Sequence, residues 1–359
     1  MIEKGPEQHL HRPRRGDLPI AAIAELAGVS PPTVSKVLNG RRGVGEQTRQ
    51  RVEALLRDHG YRRRQTTGTA LCIEVVFHQM LSSIAMEILL GVQGVTSASG
   101  YTVGFTDVGE GLRAGQPWAA PLLLRQPAAV ITMFSLFTAE DGEQFAAAGT
   151  PLVAVDPIGS LIPSPAVGSN NWSGAVAATQ HLLDLGHRRI GVLTGPIRDL
   201  HARARLDGFR AAMDYAGVPF DATLERHGMF TVEDGRDLAA ELLARPDPPT
   251  AVVCGNDLQA MGVYAAAREA GLRIPDDLSV VGFDDVEPAA WLAPPLTTVR
   301  QPFAEIGATA ARLALAIIDG RSLSQERYEV GTTLVARGST APPGSGRDRS
   351  SRPGSSASR

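Results

Sequence analysis

Pro19 to Tyr61 reads PIAAIAELAGVSPPTVSKVLNGRRGVGEQTRQRVEALLRDHGY, and this stretch decides how the chain begins. Ile20, Ile23, Ala24 and Ala27 recur at helical spacing and predict a short first helix. Gly28 and Val29 break it, and Ser30 then precedes Pro31, Pro32 and TVSKVLN. Either Ser30 caps a second helix with Pro31 in its first turn, or that helix starts one residue later. Val34, Val37 and Leu38 give it one apolar face, while Lys36 and Asn39 lie elsewhere on its surface. A third helix is expected over about Gly45 to Gly60, with Val52, Leu55 and Leu56 turned inward. Two short helices across a glycine turn, the second with a polar free face, make a helix-turn-helix pattern. The same residues also fit a small helical bundle with a solvated basic face.

Charge separates this module from the rest. Residues 1–64 hold 13 Lys/Arg against 7 Asp/Glu, a net +6, whereas the whole chain is −3, which leaves −9 for the remainder. A basic module on an acidic body points to a polyanion partner for that module alone.

The 359 residues leave room for one small and one large domain, and 43% hydrophobic content is enough for a substantial core. No run of eighteen apolar residues exists, so no membrane span is expected. The N-terminus MIEKGPEQHLHRPRRGD lacks an apolar signal-peptide core, which implies a cytoplasmic protein. Cys72 and Cys254 each sit inside an apolar segment and read as buried thiols, not as a bridge or a metal site. Residues 1–17 and the Pro/Gly/Ser/Arg-rich tail 341–359 read as disordered.

Residues 18–61 form the helix-turn-helix unit, and Arg62–Thr69 (RRRQTTGT) make a short linker. From Ala70 the texture changes. The strand patterns ALCIEVVF, YTVGFTDV, AAVITMF and PLVAVD alternate with helix patterns, and the alternation restarts at SNNWSGAVAATQHLLDLGH. Alternation of this kind means a mostly parallel sheet covered on both faces. The expected fold is a small all-α head followed, over 70–340, by two adjacent α/β units, each with its own sheet. A last strand pair, ERYEV and TTLVARGST, is expected to close it. Ligands of open α/β sheets bind beyond the carboxyl ends of the strands. Phe77, His78, Thr132, Asp156, Asn256 and Asp284 with Asp285 fall at those ends, where two facing lobes would gather them around one cleft. Each also has a plainer reading as a loop or cap residue, and Asp257 reads as a helix cap.

The segments AGVSPPTVSKVLNG with GYRRR behind it, LGHRRIGVLTGP, RARLDGFRAAM, GNDLQAMGV, IPDDLSVVGFDD and PPLTTVRQP occur in this order. Together they closely resemble the LacI-type family of bacterial transcription regulators, over about Leu18 to Thr340. The resemblance implies a helix-turn-helix head, a two-lobe periplasmic-binding-protein-like sensor with parallel sheets, and a homodimer reading palindromic operator DNA. The second head helix enters the major groove and places Pro31, Pro32 and Lys36 at base-facing positions. Lys36 suits a guanine edge, and the prolines offer apolar contact to a thymine methyl as well as helix initiation. Thr33, Ser35 and Asn39 fall at phosphate-contact or helix-packing positions, and Arg41, beside Arg42, at a phosphate position. One segment departs from the family. RRRQTTGTA is shorter than the usual hinge and lacks the leucine that wedges between bases, so Arg62, Arg63 and Arg64 are left to enter a narrow minor groove by charge. The departure leaves open whether the usual hinge mechanism carries over.

The resemblance also marks a pocket. Arg205 matches the arginine that contacts the ligand, with Arg203 as its competitor, and Asp284 matches the contacting aspartate. Asn256 matches an asparagine that donates to hydroxyls, Asp156 a further strand end, and Phe230 an aromatic against the sugar face. Trp172 suits either stacking on a pyranose or helix packing. Phe77 and His78 stand at the first-lobe turn, and Thr132 at a neighbouring strand end. This set suits a neutral mono- or oligosaccharide effector whose binding closes the cleft and lowers operator affinity; a purine corepressor is the alternative. The dimer is expected through helices near Ile84–Val95 and Leu258–Glu269. No cofactor or metal is expected. The chain has no P-loop lysine, no dinucleotide fingerprint and no clustered ligands, so an enzyme is disfavoured. The basic head and the lack of a signal-peptide pattern disfavour a sugar-binding protein without DNA function.

Overall fold

The computed structural model describes residues 20–38, 44–58, 71–77, 83–133, 138–157 and 164–344. It divides into two compact units, Met1–Ala70 and Leu71–Arg359.

The first unit contains α1 (Ile20–Ala27), α2 (Pro31–Leu38) and α3 (Glu46–Asp58). Ile23, Ala24 and Ala27 of α1, Val34 and Val37 of α2, and Val52 and Leu56 of α3 form its core. Gly28, at φ 65°, ends α1. Its N–H donates to Glu25 O at 3.1 Å and the Val29 N–H to Ala24 O at 2.9 Å, the paired closure of a Schellman cap. α2 begins at Pro31, which resolves the two start points the sequence allows. The Ser30 carbonyl accepts from the N–H groups of Thr33 (2.9 Å) and Val34 (3.2 Å), and its hydroxyl meets that of Thr33 at 2.9 Å. Pro31 and Pro32 carry no N–H, so the first turn has two fewer donors to satisfy.

The second unit has two lobes, each built on a six-stranded sheet. In lobe 1, β1 (Cys72–Phe77), β2 (Thr102–Asp107), β3 (Ala129–Met133), β4 (Leu152–Val155) and β5 (Ala166–Ser169) are parallel. They are joined by α4 (Ser83–Thr96), α5 (Gly109–Arg113), α6 (Ala119–Leu123) and α7 (Ala139–Ala148). Lobe 2 follows with α8 (Asn171–Asp184), β6 (Ile190–Thr194), α9 (Leu200–Tyr215), β7 (Glu225–His227), α10 (Val232–Leu243), β8 (Ala251–Cys254), α11 (Asp257–Glu269), β9 (Ser279–Asp284) and β10 (Thr297–Arg300). The chain then returns to lobe 1 with α12 (Phe303–Ile318) and β11 (Arg327–Val330), and ends in lobe 2 with β12 (Thr333–Val335).

The sequence expectation of a closing strand pair is corrected here. β11 pairs in parallel with β5, and β12 pairs antiparallel with β10 of the other sheet. Gly331 and Thr332 between them carry the chain from lobe to lobe. The two other crossings pass Asn170 and Gln301, so three strands run side by side between the lobes. They are tied together, because Asn170 N–H donates to Val330 O at 2.9 Å and the Thr332 hydroxyl to Asn170 O at 3.3 Å.

Both sheets are covered on both faces, as continuous apolar strands require. In lobe 1, Ile73, Val75 and Phe77 face α4 and α12 through Ile88, Val92, Phe303 and Ile306. Val76 and Val130 face the other way, toward Trp118, Leu122 and Phe145. In lobe 2, Val192, Val253 and Val281 pack under α8 and α9, and Leu193, Val252 and Cys254 under α10 and α11. Cys72 and Cys254 are free thiols. No helix among the described residues is long and apolar enough to cross a membrane.

Candidate functional site

The head presents its polar residues outward. Pro31, Pro32 and Lys36 are exposed on α2, away from Val34 and Val37, and Thr33 is half-buried. Ser35 lies within α2. Asn39, Arg41, Arg62, Arg63, Arg64 and, in the second unit, His78 lie outside the described residues.

Lobe 2 builds a second, quite different locus. Its strand order reverses between β6 and β8, a switch point where ligands of open parallel sheets bind. Arg205, on α9 just after β6, is buried there. Its Nε donates to Asn171 Oδ1 at 2.8 Å, its Nη1 to Gly255 O at 2.5 Å, and its Nη2 stands 3.5 Å from Asp284 Oδ1. The guanidinium lies over the Phe283 ring, 3.9 Å from its centroid, with the Phe230 ring 5.9 Å away. Phe230 in turn stacks on His201 at 5.4 Å. Gly195 makes room for that ring, since a Cβ there would stand 1.9 Å from Phe230 Cε2. Asn256 caps α11, with Oδ1 accepting from Gln259 N–H at 2.9 Å and Nδ2 donating to Phe230 O at 3.1 Å.

Burial sets the protonation of this cluster. Desolvation pushes the Asp156 carboxyl from 3.8 up to about 7, opposed by the Arg205 charge and a hydrogen bond from the Ser169 backbone. Desolvation also raises Asp284, again against Arg205 and a hydrogen bond from Gln301. It lowers Arg205, which the neighbouring Asp284 and Asp156 hold up. His201 is driven down to about 3 by burial and by Arg205, so it is neutral. Backbone strain gathers at the same place. Of the five non-glycine described residues with positive φ, Asp156 (40°), Phe230 (65°), Asp284 (109°) and Asp285 (58°) all border these strand ends. Strain held by surrounding structure is characteristic of functional sites.

Arg205, Phe230, Asn256, Asp284 and His201 line a cavity of about 120 Å³, closed from lobe 1 by Ile84 and Phe303 and at the crossing by Gln301. His201 also borders a neighbouring cavity of about 220 Å³, where Asp156 and Trp172 stand. Two expected residues do not line these cavities. Phe77 alternates into the lobe 1 core with Ile73 and Val75, and Thr132, next to last in β3, is buried on the face it shares with Val130. Arg203 is exposed and reaches Asp207 at 3.8 Å, so the competition between the two arginines falls to Arg205. Asp285 is engaged by Arg300 (2.7 Å) and Arg337 (2.6 Å). Asp257 does not cap α11, because Asn256 does. Its buried carboxylate accepts instead from Val286 N–H (2.9 Å) and the Thr298 hydroxyl (2.5 Å), which holds the loop that carries Asp284 and Asp285.

Sequence reasoning missed Gln301, Asn171 and His201. Gln301 Nε2 donates to Asp284 Oδ1 at 2.5 Å, and its Oε1 accepts from the Ser169 hydroxyl. One strand crossing is thereby wired to the Asp284 carboxyl. His201 carried a legible signal, since it lies four residues before Arg205 on one helix face. Asn171 and Gln301 had none beyond their place at the crossings. Among the described residues no group of His, Cys, Asp or Glu stands close enough to hold a metal ion.

Such a chain is, by fold and site, a DNA-binding head joined to a two-lobe small-molecule sensor. Comparison with known proteins agrees. Residues 20–64 match the bacterial regulatory proteins of the lacI family, and residues 179–340 match the periplasmic binding protein-like domain. The chain is 34% identical over 333 residues to the HTH-type transcriptional regulator MalR of Streptomyces coelicolor, covering 90% of this chain and 96% of that one. Among solved structures, the transcriptional regulator CelR–cellobiose complex matches with a TM-score of 0.67 and 30% identity over 90% of this chain and 99% of that one. A lac repressor dimer bound to operator and the anti-inducer ONPF matches with a TM-score of 0.67 and 27% identity, at the same coverage. The chain belongs to the lacI family of bacterial transcription regulators. It is a ligand-responsive DNA-binding regulator and not an enzyme; members of this family bind operator DNA and small-molecule effectors, often as homodimers.

Proposed function

We propose that the chain represses genes for sugar uptake or catabolism and that a mono- or oligosaccharide releases it from its operator. The observation that carries this reading is the setting of Arg205. One guanidinium, held by Asn171 and Gly255 beside Asp284 and stacked on Phe283, leaves a desolvated, charge-balanced cluster of donors and acceptors next to Phe230. Such a cluster suits a neutral polyhydroxylated ligand, whereas a phosphate would call for more cations. The related CelR structure, captured with cellobiose, supports the same class.

In this reading Arg205, Asp284, Asn256, Asp156 and Phe230 contact the sugar. Lys36, Pro31 and Pro32 meet base edges, and Thr33, Ser35, Asn39, Arg41 and the Arg62–Arg64 run meet phosphates and the minor groove. The chain pairs as a homodimer through α4 and α11, where Met86 (58%), Leu90 (57%) and Leu258 (41%) are exposed apolar side chains. Sugar closes the cleft by favouring one of two lobe arrangements, and it shifts DNA affinity only as far as it prefers that arrangement. The test is a thermal-shift screen against sugars and purines, followed by operator gel-shift with each hit. A stabilising sugar that releases DNA supports the reading; a stabilising purine that tightens DNA binding replaces it with a corepressor system.

A further inference from the structure

The cleft has two compartments, and the inner one is small. At about 120 Å³ it falls well below the roughly 300–1,000 Å³ of ordinary small-molecule sites. The adjoining compartment, about 220 Å³, opens past His201 toward the edge of the lobe 1 sheet. Its lobe 2 wall is Trp172 and Leu200, and its lobe 1 wall is formed by β5 and β11 with Arg327 and Glu329. Neither wall is ordinary core. Trp172 is 47% exposed and Leu200 43% exposed, although both sit in the first turns of helices packed against each other. In β11 the side chains alternate. Tyr328 and Val330 pack into lobe 1, and Arg327 and Glu329 point the other way.

The two compartments share their hardware. Trp172 directly follows Asn171, which holds the Arg205 Nε, so its backbone is anchored beside the inner site. Asp156 lies at the junction, buried, close enough to Arg205 on one side and Glu329 on the other to feel both charges. An indole that lines the same cavity as an opposite-charge pair on a strand edge offers a ring to stack on the flat face of a sugar and polar groups to hydrogen-bond its hydroxyls.

We infer that the effector carries at least two sugar rings, one held by Arg205 and Asp284 in the inner compartment and the next lying against Trp172 between Arg327 and Glu329. The inference rests on the sugar reading above and narrows it from saccharides in general to disaccharides and longer chains.

The test is isothermal titration of the full-length protein with glucose and xylose and with cellobiose, maltose and xylobiose. Wild type is compared with Trp172→Ala, Trp172→Phe, Glu329→Gln and Arg205→Lys. The expected result is a best disaccharide bound at least about tenfold more tightly than its own monosaccharide. Trp172→Ala brings that ratio to about one, and Trp172→Phe restores most of it. Glu329→Gln lowers it by about threefold, because the hydrogen bond at a solvated rim is kept but loses its charge assistance. Equal affinity for mono- and disaccharide, with both lost in Arg205→Lys, overturns the second ring and leaves the sugar reading standing. A ratio unchanged by Trp172→Ala overturns it as well. Binding of no saccharide at all overturns the sugar reading itself.

Discussion

The head and the sensor place their charges in opposite ways. Among its described residues the head keeps a small apolar core of seven buried side chains and sets Lys36 and its prolines in solvent, within a segment of net +6. The sensor, on a remainder of net −9, buries Arg205, Asp156, Asp257 and Asp284 and binds each to a partner. Under the proposed function, the contrast follows from what each site must recognise. A polyanion is attracted through water, and accessible cations release its counterions. A neutral ligand offers only hydroxyls and ring faces, so its donors must be desolvated and pre-aligned, at the cost of buried charge and strained backbone. Each unit also fails differently when perturbed, and that difference is measurable.

The largest effect is expected in the sensor. Arg205→Ala leaves Asp284 and Asp156 buried without their cation and destabilises the second unit by about 3–5 kcal/mol. Arg205→Lys keeps the charge but loses the planar fork, and is expected to fold with effector affinity about tenfold to a hundredfold weaker. Operator affinity without effector should be unchanged in Arg205→Lys; a parallel loss of DNA binding would break the separation of the two units.

Next in size is a pH effect. In the folded chain Asp156 titrates at about 7 instead of 3.8. The folded state thus holds a proton that the unfolded chain has lost, and the group's contribution is full below about pH 4 and disappears as pH rises to about 7. Asp156→Asn removes this dependence, so its Tm relative to wild type should climb between pH 4 and pH 7 in calorimetry and level off above. A Tm difference independent of pH would contradict the burial of that carboxyl.

The head responds at the scale of a base contact. Lys36→Ala should cost about 1–3 kcal/mol against the best operator and less against a scrambled one, measured by fluorescence anisotropy, while effector affinity stays put. Equal losses on both DNAs would make Lys36 a phosphate contact. The smallest effect is Asn256→Ala, where loss of the α11 cap should lower the unfolding free energy, measured by urea denaturation, by about 1 kcal/mol. A larger loss would mean that the hydrogen bond holding the strained Phe230 backbone adds to the cap.

Much of this arrangement is legible in the sequence, for stated reasons. The head follows from helical spacing alone, and the parallel sheets from strand and helix alternation, because both signals are local. Arg205, Asp284 and Asn256 are legible through motif order and strand ends, and all three line the inner cavity. Phe77 and Thr132 were misplaced by the same logic. A strand end locates a residue along the sheet, but period-two alternation decides which face it takes, and both side chains turn into packed cores. The strand pairing of β11 and β12 and the role of Gln301 were not legible, because they depend on three crossings that meet only in space. Asp257 is the sharpest instance. Its place before a helix suggests a cap, whereas its carboxylate spans to Val286 and Thr298, residues far along the chain.

The most direct measurement is operator affinity as a function of effector occupancy, read by anisotropy on labelled operator DNA while a disaccharide is titrated. The expected result is a saturable loss of DNA affinity whose midpoint matches the sugar's own Kd, present in wild type and absent in Arg205→Lys at the same sugar concentration. A sugar that binds the cleft with its affinity for DNA-bound and free protein unchanged would contradict the account, because a ligand indifferent to the two states shifts neither.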